Sequence, residues 1–304
     1  MRTTPARRLR AVILGPILLG LLCQVSLPAQ ADSPAARLDF TMGPRGHLLM
    51  PAIVNGSARG TFALDTGASS TVITPEFAAQ IDSLPRGESA HAIGAHSTTS
   101  VEIVRLESLR LGELDIGEGR AVIMDLSHVN GPDMTLDGIV GNNYLDQFDV
   151  VIDLAGSEAT LLDRGSLSRS AGGFATSVAI GDGHGKLIYL DILLNGQLMK
   201  AILDTGSGRS IINSAGARAL GAELPPQETA ADGHPGGHRL LARIDDVSIR
   251  LGDATLTHDS SLEVRDLGVF SRVGSDNEPF VLIGTDLLND RRVGIDYSAR
   301  RLYL

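Results

Sequence analysis

The chain has 304 residues, is 43% hydrophobic, and carries a net charge of −10 from 26 basic and 36 acidic residues. That length suits one large domain or two of ordinary size, and the negative charge argues against nucleic acid as a partner. The single cysteine, Cys23, excludes an intramolecular disulfide, so the fold depends on its hydrophobic core.

Residues 1–31 are predicted to be a signal peptide. Four arginines precede an apolar stretch at 11–27, and Ala29-Gln30-Ala31 has the small-x-small pattern of a cleavage site. Cleavage after Ala31 removes those four arginines and leaves 22 basic and 36 acidic residues, a net charge of −14. The alternative is an uncleaved membrane anchor, at the short end of what spans a bilayer. Either way we expect a periplasmic or secreted protein, with no membrane contact once the signal is cleaved.

The rest of the chain contains two versions of one pattern, at residues 38–163 and 176–304. Near the start of each version an apolar run reaches Asn-Gly, which is the strongest short signal for a β-hairpin. The returning run then ends in Asp-Thr-Gly. The paired motifs are Asn55-Gly56 and Asn195-Gly196, then Asp65-Thr66-Gly67 and Asp204-Thr205-Gly206.

Later landmarks also recur, at an offset that grows from 139 to 143 residues. This agreement indicates a duplicated unit with a few extra loop residues. We therefore divide the chain into a signal peptide (1–31), a first lobe (32–165), a linker (166–175) and a second lobe (176–304). The recurring motifs are Arg110-Leu111-Gly112 with Arg250-Leu251-Gly252, Ile139-Val140-Gly141 with Leu282-Ile283-Gly284, and Val150-Val151-Ile152-Asp153 with Val293-Gly294-Ile295-Asp296.

Short β-branched and leucine-rich runs, separated by Gly, Pro, Asn and Asp, predict that the chain is mostly strand. Two short helices are expected. Thr74-Pro75 before residues 76–81 has a capping threonine and a proline at the first helical position, and residues 214–220 are its counterpart. The Ser-, Arg- and Gly-rich segment at 163–173 is a linker by composition.

The two Asp-Thr-Gly motifs carry a resemblance to a known family. Two apolar residues, Asp-Thr-Gly and then Ala or Ser, followed some seventy to eighty residues later by two apolar residues and Gly, resemble the retropepsin-like and pepsin-like aspartic proteases. The spacing from Asp65 to Gly141 is 76 residues, and that from Asp204 to Gly284 is 80. The resemblance implies an all-β, bilobal, pepsin-like fold made of two retropepsin-like closed β-barrel lobes with a few short helices.

The resemblance also implies a site. Asp65 and Asp204 would face each other across a pseudo-two-fold axis, share one proton and activate a water molecule between them, without a cofactor. This is the aspartic-protease arrangement that serves as the standard example of coupled carboxylates. The supporting residues implied by the family are Thr66 and Thr205, which would bond across the lobe junction, Gly67 and Gly206, which permit close backbone approach, and Gly141 and Gly284, which end the strands behind the loops.

The residue after each triplet differs between the halves: Ala68 in the first and Ser207 in the second. A hydroxyl at this position can donate to the catalytic carboxylate and stabilise its charged form. We therefore expect Asp204 to be the more acidic aspartate of the pair.

Family members close the cleft with a flexible glycine-containing hairpin called the flap. Gly94 is the candidate in the first lobe, and the candidates in the second are Gly233, Gly236 and Gly237. His234 and His238 have a four-residue spacing that aligns metal ligands only on a helix, and Pro235 argues against a helix there. We expect no metal site.

The leading hypothesis is an aspartic endopeptidase that binds peptide or protein substrates as an extended strand. The alternative, from another class, is a catalytically silent peptide-binding protein on the same scaffold. We expect a monomer with an intramolecular pseudo-dimer. A third possibility is that each lobe pairs with its twin in another molecule, which would give two sites per dimer.

Overall fold

The structure is a computed structural model that describes residues 35–82, 84–93, 98–169, 173–181, 184–225, 240–270 and 278–304. The predicted signal peptide lies outside these residues. Strands dominate, and among the described residues no helix has the length and hydropathy needed to cross a bilayer. The α-helices of this part of the chain are α1 (Pro75–Ala78), α2 (Asn142–Leu145), α3 (Ser166–Arg169) and α4 (Ser214–Ala219).

The first lobe is built on a curled sheet of ten strands. Its centre is the antiparallel hairpin β3–β4, and β11 pairs with β4 in parallel. The strands are β2 (Thr41–Met42), β3 (Leu48–Val54), β4 (Ala58–Leu64), β5 (Thr71–Ile73), β6 (Arg86–Ile93), β7 (Thr98–Leu106), β8 (Leu109–Leu111), β9 (Leu114–Asp115), β10 (Gly119–Ile123) and β11 (Gly138–Val140).

The second lobe is a closed barrel of six strands. It repeats the central arrangement of the first lobe, because β15 and β16 form an antiparallel hairpin and β20 pairs with β16 in parallel. The all-β, two-lobed, retropepsin-like fold is therefore confirmed. The strands are β15 (Ile188–Leu194), β16 (Gln197–Leu203), β17 (Ile211–Ile212), β18 (Ala242–Leu251), β19 (Ala254–Val264) and β20 (Phe280–Ile283).

A separate six-stranded sheet joins the lobes, with three strands from each half of the chain in the order β1-β13-β12-β21-β22-β14. The only pairing between the halves in this order is β12 with β21. Val150, Ile152, Val293 and Ile295 alternate toward the core and are at most 1% exposed. The strands are β1 (Ala36–Asp39), β12 (Phe148–Asp153), β13 (Glu158–Asp163), β14 (Ser177–Ala179), β21 (Arg292–Asp296) and β22 (Arg301–Tyr303).

The predicted Asn-Gly hairpins are confirmed. Asn55 and Asn195 both have φ of 47°, and Gly56 and Gly196 have φ of 73° and 82°. Two successive residues with positive φ give the turn whose twist matches that of paired strands. Each asparagine side chain also accepts from a neighbouring backbone: Asn55 Oδ1 from Ser108 N in the connection between β7 and β8, and Asn195 Oδ1 from Ser248 N in β18 at 2.7 Å.

The two predicted helices are present but short. In α1 the Thr74 hydroxyl accepts a hydrogen bond from Phe77 N at 3.2 Å, as expected of an N-cap. The helix ends at Ala78 rather than at residue 81. In α4 the cap is Asn213, whose Oδ1 accepts from Gly216 N at 2.8 Å. Both helices follow the strand after an Asp loop, as the duplication requires.

The segment interpreted as a linker is partly structured. Its residues 166–169 form α3, whose Leu167 is 2% exposed and packs with Val151 and Tyr303 against the six-stranded sheet. Asp149 fixes the helix by accepting a hydrogen bond from Leu167 N at 2.7 Å. Composition alone indicates flexibility here because the one apolar residue that docks the segment is surrounded by polar residues.

Two buried carboxyl groups meet on the sheet that joins the lobes. The register pairs Val150 with Ile295, which places Asp149 opposite Asp296, whereas at the other end of the same ladder Asp153 lies opposite Arg292. Side chains opposite each other in a ladder lie on one face and within contact distance. Asp149 and Asp296 are both 0% exposed, and Asp149 Oδ1 and Asp296 Oδ2 have no hydrogen-bond partner among the described residues.

Burial and the charge of Asp296 raise the pKa of Asp149, although the N–H groups of Leu167 and Gly165 and the charge of Arg164 act to lower it. Burial also acts to raise the pKa of Asp296, but hydrogen bonds from Ala299 N and the Ser298 hydroxyl outweigh it and lower that pKa. Of the two carboxyl groups, Asp149 is therefore the one whose protonated form is favoured by its surroundings.

We expect the free energy of unfolding to fall as pH rises through the raised pKa of Asp149. A group whose pKa is higher in the folded state stabilises the fold fully only below its unfolded value, about 3.9 for aspartate. Asparagine at position 149 cannot titrate, so this part of the pH dependence should disappear in Asp149→Asn. Urea unfolding of the full chain at a series of pH values between 4 and 8 measures it.

The matched control is Asp153→Asn, since Asp153 faces Arg292 in the same ladder. Removing this carboxylate removes an opposite-charge neighbour and should leave the loss of stability at high pH in place. An Asp149→Asn variant with the wild-type pH dependence would contradict the assignment of this loss of stability to Asp149.

Candidate active site

Each Asp-Thr-Gly loop begins where the returning strand of a hairpin ends. Asp65 follows β4 and its N–H donates to Val140 O at 3.0 Å, while Asp204 follows β16 and donates to Ile283 O at 2.9 Å. The acceptors are the last residues of β11 and β20. The backbone of each aspartate is therefore hydrogen-bonded to the parallel apolar strand that the sequence motif predicts.

The glycines that end those strands pack tightly behind the loops. A Cβ on Gly141 would lie 2.6 Å from the carbonyl carbon and oxygen of Ser70. A Cβ on Gly284 would lie 2.7 Å from the carbonyl oxygens of Ser207 and Arg209. Distances this short exclude any side chain, so both positions require glycine for close backbone approach.

The two loops are joined by four reciprocal hydrogen bonds through Thr66 and Thr205. The Thr66 hydroxyl donates to Leu203 O at 3.0 Å and accepts from Thr205 N at 3.1 Å. The Thr205 hydroxyl donates to Leu64 O at 2.8 Å and accepts from Thr66 N at 3.0 Å. Both threonines are at most 1% exposed. Loops from distant parts of one chain are thus bonded directly to each other.

Asp65 and Asp204 lie against the opposite loop. A Cβ on Gly67 would be 2.3 Å from Asp204 Cγ, and a Cβ on Gly206 would be 2.3 Å from Asp65 Cγ. The side chains therefore cross over the glycines, which leave the space that the carboxyl groups occupy. The structure brings together all six residues of the two triplets.

The environment of the two carboxyl groups is unequal. Burial raises the pKa of Asp65, but hydrogen bonds from Gly67 N at 2.7 Å and Ala68 N at 3.0 Å oppose that rise. Burial, then the charge of Asp65 and a hydrogen bond with it, raise the pKa of Asp204 well above the usual range. Asp65 Oδ1 accepts hydrogen bonds from two backbone N–H groups and Asp204 Oδ1 from one, so the loop geometry stabilises the ionised form of Asp65 more than that of Asp204.

The expected hydrogen bond from the Ser207 hydroxyl to Asp204 is not formed. The Ser207 hydroxyl donates to Arg209 O at 2.8 Å, within its own loop. It is therefore directed away from the carboxylate that it was expected to stabilise, and the pKa of Asp204 is raised.

Two hydrogen-bonded pairs of polar side chains lie behind the loops and were not predicted from the motifs. Asn143 Oδ1 accepts from both the N–H and the hydroxyl of Thr71, at 2.7 and 2.9 Å. The carboxylate of Asp286 accepts likewise from Ser210, at 3.0 and 2.6 Å. In each lobe that hydroxyl also accepts from the N–H of the glycine that ends the apolar strand. The signal was available, because both pairs recur at the offsets of the duplication.

Each lobe also places a turn against the Asp loop of the other. Gly46, with φ of 81°, would have a Cβ 2.5 Å from Gly208 Cα, and Thr285 donates its hydroxyl to Gly46 O at 2.9 Å. Gly185, with φ of 68°, would have a Cβ 2.7 Å from Ser69 Cβ. These reciprocal contacts close the junction on both sides of the aspartates.

The flap candidates cannot be placed. Gly94 lies between β6 and β7, which pair as an antiparallel hairpin from Ile93 opposite Thr98, but it is outside the described residues. So are Gly233, Gly236 and Gly237, and the histidines at 234 and 238. Within the residues that the structure describes, no three His, Cys, Asp or Glu side chains are grouped to hold a metal ion.

A two-lobed all-β protein with one aspartate from each lobe at the lobe junction has the architecture of the aspartic proteases. In agreement, residues 50–144 match the sequence model of a family described as aspartyl protease. The match spans just under a third of the chain and contains Asp65 and Gly141 but not Asp204. The likeness of the second lobe depends on its fold and on the repeated motifs. No curated protein sequence matches the chain.

We predict that Thr66→Val and Thr205→Val each lower the free energy of unfolding by about 2–4 kcal/mol. Each change leaves a buried N–H and a buried carbonyl of the opposite loop unpaired, at about 1–3 kcal/mol per group. Urea unfolding monitored by circular dichroism gives the values.

The control for these variants is Thr160→Val on β13, whose hydroxyl bonds only the nearby Glu158 at 3.1 Å. It should cost less than about 1 kcal/mol. Equal losses in all three variants would show that the threonine bonds do not join the loops in solution.

Proposed function

We propose that the protein is an aspartic endopeptidase whose catalytic dyad, Asp65 and Asp204, is formed within one chain. The observation that carries this proposal is the pair of Asp-Thr-Gly loops locked face to face by the crossed threonine bonds. The match of residues 50–144 to an aspartyl protease family supports protease activity of the aspartic type in general. The assignment of Asp65 and Asp204 as the catalytic pair goes beyond that match and rests on the geometry of the two loops.

In this mechanism Asp65 acts as the general base. It takes a proton from a water molecule whose oxygen attacks the carbonyl carbon of the scissile peptide bond. Asp204 gives its proton to the carbonyl oxygen, so that a neutral tetrahedral intermediate forms. When the C–N bond breaks, the amine leaves with the proton held by Asp65, and a hydroxyl proton of the intermediate returns to Asp204. The roles follow the unequal surroundings of the two carboxyl groups.

The substrate class is a peptide or protein bound in extended form. A chain lying across the junction meets both lobes, and an extended strand offers regularly spaced backbone groups for hydrogen bonding and side chains for pockets. The chemistry needs no metal or cofactor, because two carboxyl groups that share a proton supply both an acid and a base.

We expect Asp65→Asn and Asp204→Asn each to lower kcat for peptide cleavage by about 10²–10⁴-fold, because each removes either the base or the acid. The assay is cleavage of a peptide library by purified protein between pH 3 and 7, with and without a pepstatin-type inhibitor. Asp191→Asn, at an exposed aspartate of β15 that pairs with Lys200, serves as a control outside the two Asp-Thr-Gly loops.

Two other results have definite meanings. If each aspartate variant keeps about half of the activity, the lobes pair with twins in other molecules and the intramolecular dyad is wrong. If the wild type binds peptides saturably and cleaves none over the whole pH range, the protein is a silent peptide-binding scaffold.

We further propose that the enzyme works outside the cytoplasm, on the basis of the N-terminal sequence pattern. The mature protein is then expected to begin at Asp32. N-terminal sequencing of protein recovered from the periplasm or medium of an expressing bacterium checks this. An intact Met1 on membrane-bound protein would instead establish the uncleaved anchor.

A further inference from the structure

A buried chain of hydrogen bonds leads from the second lobe to the first Asp loop. The hydroxyl of Tyr297, which follows β21, donates to Asn142 Oδ1 at 2.7 Å. Asn142 begins α2, directly after Gly141, and is 0% exposed. Its amide Nδ2 donates to Thr66 O at 2.7 Å. The motif analysis assigned no role to Tyr297 or Asn142.

The series of hydrogen bonds continues through one peptide unit to the carboxyl group of Asp65. The carbonyl of Thr66 and the N–H of Gly67 belong to the same amide, and that N–H donates to Asp65 Oδ1 at 2.7 Å. A donor on the carbonyl polarises the amide and makes its N–H a stronger donor, since linked hydrogen bonds reinforce one another. Hydrogen bonds to a carboxylate favour its ionised form.

We propose that Tyr297 and Asn142 are positioning residues that act through the Thr66–Gly67 peptide to keep Asp65 as the ionised member of the pair. This proposal rests on the proposed proteolytic function and adds to it the reason for the division of labour between two similar loops. Neither residue touches the substrate or the reacting water, so neither is a catalytic residue.

The second Asp loop lacks this arrangement. The residue after Gly284 is Thr285, whose hydroxyl donates to Gly46 O at 2.9 Å and has Ser207 O as a longer second acceptor at 3.4 Å. Among the described residues no side chain donates to Thr205 O, the equivalent of Thr66 O. The N–H of Gly206 donates to Asp204 Oδ1 at 2.9 Å, which is longer than the equivalent bond to Asp65. The two duplicated Asp loops thus differ in the side chains that hydrogen-bond to their backbone.

The charged groups around this series of hydrogen bonds keep the Tyr297 hydroxyl a donor to Asn142. Tyr297 faces Asp146, which pairs with Lys186 at 2.6 Å. Burial, and then the charge of Asp146, raise the pKa of Tyr297 far above its usual value. The hydroxyl therefore stays protonated at every pH at which the enzyme works. At the other end Asp65 faces Asp204, whose raised pKa agrees with a proton on that partner.

The test is the pH dependence of kcat/KM for peptide cleavage by the full chain. Its acid limb reports ionisation of the dyad in the free enzyme. Tyr297→Phe removes only the donor to Asn142 and should raise the midpoint of that limb by about 0.3 pH unit, and Asn142→Ala by about 0.6 unit. KM should change little, because no substrate contact is lost.

Tyr303→Phe is the matched control. Tyr303 is 7% exposed on β22, so its variant loses the phenol hydroxyl of a mostly buried tyrosine that is not part of the hydrogen-bond series to Asp65. Its acid limb should coincide with that of the wild type. Urea unfolding of each variant at the pH values of the assay measures any loss of stability, which separates folding effects from the proposed one.

Titration of the carboxyl carbons by ¹³C NMR, with the aspartates labelled and Asp65 assigned through Asp65→Asn, measures the same shift without catalysis. The Asp65 midpoint should rise in Tyr297→Phe. If the wild type cleaves peptides but the midpoints of Tyr297→Phe and Asn142→Ala match the wild type, the positioning role is overturned and the proteolytic function stands. If the wild type cleaves nothing, the function fails and the NMR titration decides the positioning role.

Discussion

Two carboxyl groups placed in contact and away from bulk water are the constraint on which the rest of the structure depends. Their charges repel, and burial disfavours ionisation of either one, so the loops that carry them would separate unless held. The crossed bonds of Thr66 and Thr205 provide that hold, and Gly67 and Gly206 leave the carboxyl groups room. The parallel strands β11 and β20 fix each loop from the side.

A perfectly symmetric pair would give both aspartates the same proton affinity. Even identical carboxyl groups in contact would share one proton, because the charge of one disfavours ionisation of the other. In this chain the duplicated halves also differ close to the pair. They differ in what supports each loop: Asn142 bonds to the backbone of the first triplet, whereas Thr285 in the equivalent place bonds to the turn at Gly46. A second unequal acid pair, Asp149 with Asp296, lies in the sheet that joins the lobes.

The sequence predicted local features well where one residue type has few conformations. Asn-Gly gave both central hairpins, and Thr74-Pro75 gave the start of α1. It failed where a side chain chooses among several partners. The Ser207 hydroxyl bonds to Arg209 O instead of the neighbouring carboxylate, and Leu167 docks a segment that composition describes as a linker. Such choices depend on packing that no local pattern records.

The sequence by itself determined the duplication, the strand-rich class and the identity of the two motif aspartates, because each follows from residue types at fixed spacing. Only the tertiary structure decided that the two loops meet within one chain, and which groups donate to Asp65. Both depend on distances between residues up to 155 positions apart, as in the bond from Tyr297 to Asn142. Hydrogen bonds require atoms within about 3 Å, and that proximity is set by how the lobes pack.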